Sequence, residues 1–272
     1  MPKWLQAGEA KKISPLSTQH GFCDQRKDIL RLSTFNMAHG RGRSLSHFTM
    51  RRKKIEANLI STAQQIQVSP VDLLALQEAE AEMTWHKNLH QSQFLAEHAG
   101  FSQVAQGEHV RGKRYSYGTA ILSKLKIVHS ESHVFPRSKF TFPKGFVCAE
   151  VISHCQKHFR VISLHLDFLH EKTRQRQIHM LCQYIQKQTK LPLIIMGDFN
   201  CQYRKNGVLE KLAQELELQV WNPQEKIISF PKLGLRLDWI LISKEMRFNS
   251  YELWDDLASD HLAVRAELEF IS

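Results

Sequence analysis

A chain of 272 residues with 42% hydrophobic and 24% charged residues has the balance of an ordinary globular protein and enough length for a substantial core in one large domain or two small ones, which excludes a disordered or fibrous class. No apolar run approaches the roughly 20 residues that span a bilayer, and the N-terminus, MPKWLQAGEAKKISPLSTQHGF, holds neither a continuous apolar segment nor a cleavage site, so no transmembrane segment and a cytoplasmic location are expected. Lysine and arginine number 37 against 27 acids, and the net charge of +10 suits a polyanionic partner as well as it suits a basic surface kept for solubility.

Residues 1–28 are polar and without sustained periodicity, and are expected to form an extension to a single domain over 29–272. Ile29-Leu-Arg-Leu-Ser-Thr-Phe-Asn36 alternates as a strand and delivers Asn36 at its end. The next stretch carries six Arg or Lys and no acid from Arg41 to Lys54. Ile55, Leu59, Ala63 and Ile66 fall at helical spacing, which predicts a helix over about 51–67. Val71 to Glu78 reads as a second buried strand ending in a carboxylate, and a helical stretch through Leu89, Leu95 and Ala99 stops at Gly100.

Short strands follow at Phe101 to Gln106, Gly118 to Leu122, Ile127 to Val134, Phe146 to Ile152 and Phe159 to Asp167. A helix from Glu171 presents Ile178, Leu181, Cys182 and Ile185 on one face. The apolar run Leu191-Pro-Leu-Ile-Ile-Met then enters Gly197 and presents Asp198 and Asn200, with Phe199 turned away. A short helix from Gly207 to Leu216 and strands at Arg236 to Ser243, Phe248 to Trp254 and Leu262 to Phe270 complete the chain. Interleaved helices with locally connected strands favour a layered α/β sandwich on mixed sheets over a doubly wound parallel sheet. Five cysteines, Cys23, Cys148, Cys155, Cys182 and Cys201, are odd in number and lack a C-x-x-C pair, so reduced thiols are expected and neither a disulfide framework nor a zinc site.

Strand ends deliver Asn36, Glu78, His165 with Asp167, Asp198 with Asn200, and Asp260-His261. Buried strands ending in acids, amides and histidines are costly unless those groups satisfy one another or a cation, so their repetition points to one shared site. The segments TFNMAHGRG, LLALQE, YGTAILSK, SLHLD followed by TRQRQ, IIMGDFN, RLDWILIS and ASDHLAV resemble, in order and approximate spacing, those of the endonuclease/exonuclease/phosphatase superfamily with its deoxyribonuclease-I-like fold. The resemblance covers residues 29 to 272. It implies a four-layered α/β sandwich, two mixed and mostly antiparallel sheets face to face with helices outside, and metal-dependent hydrolysis of phosphoesters.

Residue by residue, the resemblance assigns Glu78 and Asn36 to a metal site, with Asp260 joining them. Hard oxygen donors favour Mg²⁺ or Mn²⁺ over zinc. It makes Asp198 the group that positions or deprotonates water, Asn200 its neighbour on nucleophile or phosphate, His165 a phosphate contact, and His261 a histidine oriented by Asp238. With Asp198 as base, His261 is expected to stabilise charge. Asp167 is expected to be structural, bonded to Arg174 or Arg176, although a substrate or metal role stays open for it and a substrate role for Arg174. His39 and Arg41 are candidate phosphate contacts at the mouth of the site, with a surface loop as the alternative for His39. Tyr115 and Tyr117 lie near where some members of the family keep an active-site tyrosine, but packing or surface display is the expected role of both.

The basic clusters Arg41 to Lys54, Arg111 to Arg114 and Arg137 to Lys144 favour nucleic acid as substrate, hence a nuclease acting as a monomer. Phe140, Phe142 and Phe146 interleave with the last cluster and are expected in strand and core. The alternative is a phosphoesterase of phospholipid or phosphoinositide meeting an anionic membrane. A catalytically dead binding module is disfavoured because every motif is intact.

Overall fold

The computed structural model describes residues 8–9, 28–42, 51–83, 89–254 and 259–271. The expected N-terminal extension, apart from a short strand, and most of the basic run after Gly42 lie outside the described residues. The strands are β1 (Gly8–Glu9), β2 (Ile29–Asn36), β3 (Leu73–Met83), β4 (Gln103–Gln106), β5 (Val110–Arg111), β6 (Tyr115–Ser123), β7 (Lys126–Val134), β8 (Gly145–Ile152), β9 (His158–His165), β10 (Leu193–Asp198), β11 (Leu218–Val220), β12 (Asp238–Ser243), β13 (Met246–Trp254) and β14 (Ala263–Phe270). The helices are α1 (Arg52–Val68), α2 (Gln91–Ala99), α3 (Glu171–Gln186) and α4 (Val208–Glu215), with a 3-10 turn at Ala38–Gly40.

Two seven-stranded sheets form, in the orders β1-β7-β8-β9-β10-β12-β11 and β13-β14-β2-β3-β6-β4, with β5 on β6. Period-two alternation explains how they stack. In β10, Ile194 and Met196 enter the core between the sheets, whereas Leu193 and Ile195 face α3 and α4. In β3, Leu73 and Ala75 face the other sheet while Leu74 and Leu76 meet α1 and α2. Three apolar interiors between four layers result, which is the sandwich the resemblance implies.

The pairs β2/β3 and β9/β10 are parallel, and the other pairs are antiparallel. Each parallel pair is joined by a helix crossover, α1 in one sheet and α3 in the other, as a parallel connection requires. Both crossovers leave the C-terminal ends of their strands on the same edge of the sandwich. Antiparallel β12 begins at that edge, with Asp238 opposite Asp198.

One predicted boundary differs in a way that matters. Strand β3 does not end at Glu78 but runs on to Met83, with a register shift between Leu76 and Ala79 and Glu78 at φ 54°. Glu78 is the bulged residue, turned out of the ladder toward the functional edge. The thiol expectation is corrected too: Cys148, Cys182 and Cys201 are free, but Cys155 is disulfide-bonded. Parity and spacing carry no information on a pairing made by the fold. Among the described residues, no helix is long and apolar enough to cross a membrane.

Candidate active site

Gly197 brings the centre together. At φ 154° a Cβ there would lie 1.9 Å from the Leu164 carbonyl oxygen, so only glycine lets β10 lie this close to β9. The next residue, Asp198, is buried at the strand end, and both of its oxygens are held. Oδ2 accepts from Asn36 Nδ2 at 2.9 Å, across the two sheets, and Oδ1 accepts from the Asn200 backbone N–H at 2.9 Å. Asn200, at φ 51°, has left the strand, and its own amide donates to the Leu166 carbonyl at 3.0 Å. Phe199 points into the core beneath, as alternation predicts.

Opposite Asp198 stands the pair Asp238 and His261. His261 Nδ1 lies 2.9 Å from Asp238 Oδ2, and its Nε2 lies 3.9 Å from Asp198 Oδ2. Ser229 Oγ accepts the backbone N–H groups of Leu237 and Asp238, and the Phe230 ring packs 4.6 Å from the imidazole, so both partners are fixed. Burial alone would lower the His261 pKa, but Asp238 and Asp198 overcome it and raise it to about 10. Asp198 is pushed up to about 6 by burial and by Asp238, against the pull of His261 and Asn36. A cationic imidazole thus faces a carboxylate that can take a proton near neutral pH.

His165 completes one side, with Nε2 3.5 Å from Asp198 Oδ2. Burial and Lys144 hold its pKa well below the ordinary value, so it is neutral. Lys144 was not picked out by the sequence. Its Nζ lies 3.0 Å from His165 Nε2 and 3.8 Å from Glu78 Oε1, and it is itself buried. Burial lowers its pKa, countered by Glu78, Asp198 and Asp167.

Glu78 takes a different balance. Burial would raise its pKa, yet His39, Lys144, His165 and His261 together bring it to about 2. His39 Nε2 is 3.5 Å from Glu78 and Nδ1 is 3.6 Å from Glu80. His39 is therefore buried between two glutamates and is no surface loop. Glu80, also buried, is raised to about 8 by burial. Tyr117 stands edge-on to His39 at 4.7 Å, beside Glu78, so its place is at the site and not in mere surface display.

The remaining expected contacts are spent differently. Arg41 and Asp260 pair with each other at 2.5 Å. Arg174 donates to the Asp167 carbonyl at 2.9 Å, while the Asp167 carboxylate accepts from Thr141 and from the backbone N–H groups of Leu169 and His170. Asp167 thus caps the turn into α3, with Arg174 bonded to its carbonyl and Thr141 to its carboxylate. Thr141 and Glu80 lack a readable signal because their partners are distant in sequence, Lys144 was read only as part of a basic cluster, and Tyr117 lies near where the resemblance offers an active-site tyrosine.

Asp198, Asp238 and His261 each offer a ligand atom within 4.8 Å of the others, the one such candidate metal group among the described residues. Its geometry is also that of a hydrogen-bonded acid–histidine pair. Glu78, kept ionised, and Asn36, an oxygen donor beside Asp198, fit a hard divalent cation by their chemistry. Asn36 Oδ1 accepts the Ala38 N–H at 3.1 Å, and Asp260 is committed to Arg41.

A four-layered sandwich with acids, amides and histidines converging from both sheets on one edge defines a phosphoester-hydrolase type of site. The sequence profile of the Endonuclease/Exonuclease/phosphatase family matches residues 33–261, and the chain belongs to that family of hydrolytic phosphoesterases. Solved structures similar to it include an endonuclease/exonuclease/phosphatase family protein from Leptotrichia buccalis, 18% identical, TM-score 0.68, over 89% of this chain and 100% of that one. Another is the human Nocturnin catalytic domain with bound sulfate, 18% identical, TM-score 0.67, over 91% and 98%. A third is a mannosyl-6-phosphatase from Bacteroides thetaiotaomicron, 17% identical, TM-score 0.66, over 89% and 100%. At these identities the likeness concerns the fold. No curated protein matches the chain in sequence.

Proposed function

We propose that the chain is a metal-dependent phosphodiesterase that cleaves nucleic acid by in-line attack of water. The observation that carries the chemistry is Asp198, buried and held at both oxygens, with the cationic His261–Asp238 pair 3.9 Å away. Asp198 takes a proton from water, and the water oxygen forms the new bond to phosphorus. The ester bond on the far side breaks, and the released oxygen takes a proton from solvent.

His261, kept positive by Asp238, faces the charge that grows on the phosphoryl oxygens. His165 and Lys144 face the phosphate from the other side, and Asn200 with Asn36 keeps the Asp198 carboxylate from turning. Glu78 and Asn36 would hold Mg²⁺ or Mn²⁺, with Asp260 joining once Arg41 is displaced, and the ion would supply Lewis-acid stabilisation of phosphoryl oxygen. The basic balance of the chain supports nucleic acid over an uncharged substrate.

The test offers purified protein, with Mg²⁺ or with chelator, single- and double-stranded DNA, RNA, phosphoinositides, sphingomyelin and a chromogenic diester. Nucleic acid and diester should be hydrolysed with metal, and Asp198→Asn should lower kcat about 10² to 10⁴-fold without unfolding the chain. Equal turnover by parent and Asp198→Asn would refute the mechanism, and turnover of lipid alone would refute the substrate.

A further inference from the structure

The loop between β7 and β8, residues 135–144, joins the catalytic centre to a second surface. At its start, Pro136 lines a groove of about 670 Å³ together with Lys172, Gln175, Arg176, His179 and Met180 of α3. At its end, Lys144 is buried against His165. Between these points the loop is fastened to the neighbouring turn on both sides of Phe140. Ser138 Oγ meets Thr173 Oγ1 at 3.2 Å, and Thr141 Oγ1 donates to Asp167 Oδ2 at 2.6 Å.

Phe140 is nevertheless 89% exposed, and its φ of 65° is one that a bulky side chain disfavours. Phe142 is 54% exposed, its ring 6.2 Å from Tyr117, and Phe168 in the adjoining turn is 57% exposed. The expectation that Phe140, Phe142 and Phe146 are all core aromatics therefore holds for Phe146 alone. A loop anchored at both ends that keeps aromatic rings in water is a surface made to be covered.

What covers it is indicated by charge. No groove residue is acidic, and Lys172, Arg176 and His179 form one stripe of α3 at i, i+4 and i+7, rising about 6 Å and then about 4.5 Å along the axis. That is the scale of successive phosphates on an extended strand. The Lys172 and Arg176 charges on α3, next to a loop whose rings are exposed, fit a chain of alternating phosphates and flat bases better than a flat bilayer.

We propose that the 135–144 loop and the α3 groove form a track for a single-stranded segment of nucleic acid. Bases stack on Phe140 and Phe142, the phosphates beyond follow Lys172 and Arg176, and the scissile phosphate lies by Lys144. The proposal rests on the nucleic-acid reading above.

Two variants of the full chain test it, Phe140→Ala/Phe142→Ala and Lys172→Gln/Arg176→Gln, each checked for an unchanged melting temperature. Both should keep parental kcat/KM on the chromogenic diester and on a dinucleotide. On a single strand of about ten nucleotides, both should raise KM about ten-fold. Lys172→Gln/Arg176→Gln should also flatten the slope of log KM against log salt by about 1.4, the loss of two phosphate contacts. If the parent cleaves the long strand and the variants match it, the track is overturned while the nucleic-acid reading stands. Equal losses on the dinucleotide and diester, or a loss confined to binding of anionic phospholipid vesicles, would overturn it as well. A parent that cleaves the diester but no nucleic acid removes the underlying reading and the track with it.

Discussion

The two ends of the central strands both bury polar groups, but they spend them differently. At the end away from the site, four polar groups each meet a neutral partner at hydrogen-bond distance, and Asp72 Oδ1 also lies 3.7 Å from His154 Nε2. Asp72 Oδ2 accepts the Arg31 N–H at 2.8 Å, Asp28 Oδ2 accepts from Ser153 Oγ at 2.5 Å, Arg160 donates to the Thr189 carbonyl at 2.9 Å, and Ser243 Oγ accepts the Leu193 N–H at 2.8 Å. At the candidate site, two close pairs, His261 with Asp238 and Arg41 with Asp260, sit among groups that face one another across longer gaps. His165 to Asp198 is 3.5 Å, His39 to Glu78 is 3.5 Å, Lys144 to Glu78 is 3.8 Å, and His261 to Asp198 is 3.9 Å. The first end is closed by caps, with only Asp28 Oδ1 among the named groups buried without a hydrogen-bond partner among the described residues. The second sets two close pairs within a wider cluster of acids, histidines and a lysine held 3.5 to 3.9 Å apart, the kind of arrangement that shifts pKa values at functional sites.

Breaking the balance at the catalytic end should have the largest effect. Asp238→Asn removes the charge that sustains the buried His261 cation, and loss of one partner of a buried pair costs about 3–5 kcal/mol. Denaturant unfolding should show that loss together with a fall in kcat. Full stability with reduced kcat would mean that His261 is neutral in the folded chain.

Just behind this cluster, His109 sits 2.9 Å from Thr119 Oγ1, and burial, with Lys144 and His133, depresses its pKa to about 3. The unfolded histidine titrates near 6.5, so below that pH the unfolded state binds the extra proton. The contribution of His109 is complete above about pH 6.5 and declines toward pH 3, by up to about 1.4 kcal/mol per pH unit. His109→Gln should flatten this part of the stability curve. An unchanged acid slope in that variant would assign the slope to other groups.

The smallest effect belongs to the closed end. Ser243→Ala removes one cap and should cost about 1 kcal/mol, read as a lower denaturation midpoint with kcat unchanged. A drop in kcat there would show that the two ends are coupled.

How much of this was legible depended on the range of the signal. Alternation along a strand placed Leu193 to Asp198 and its turn correctly because burial on each face is a local pattern. Motif order extended this to His165, Asp238 and His261, which the fold brings around Asp198. The partnership of Arg41 with Asp260 spans 219 residues and removes two expected ligands from display. Nothing local to either residue indicates it. Lys144 was read only as one charge of a basic cluster and Tyr117 as packing or surface display, since a lysine in a loop and a tyrosine in a strand are ordinary until their neighbours are known. Glu78 was placed as a strand end, whereas a bulge presents it, and bulges interrupt the periodicity by which strands are read. Phe140 and Phe142 were assigned inward because aromatic residues usually are. Their exposure depends on fastenings at Ser138 and Thr141 that no spacing reveals.

The hydrogen bond from Asn36 to Asp198 joins residues 162 positions apart, one from each sheet. Neither sheet holds the reacting carboxylate in place alone. Contacts of such separation carry a loop-closure cost that must be met before they stabilise the fold. A chain still emerging or partly collapsed would therefore have its acids and histidines but not their alignment. The alignment at the site is therefore a property of the docked sandwich and of neither sheet alone.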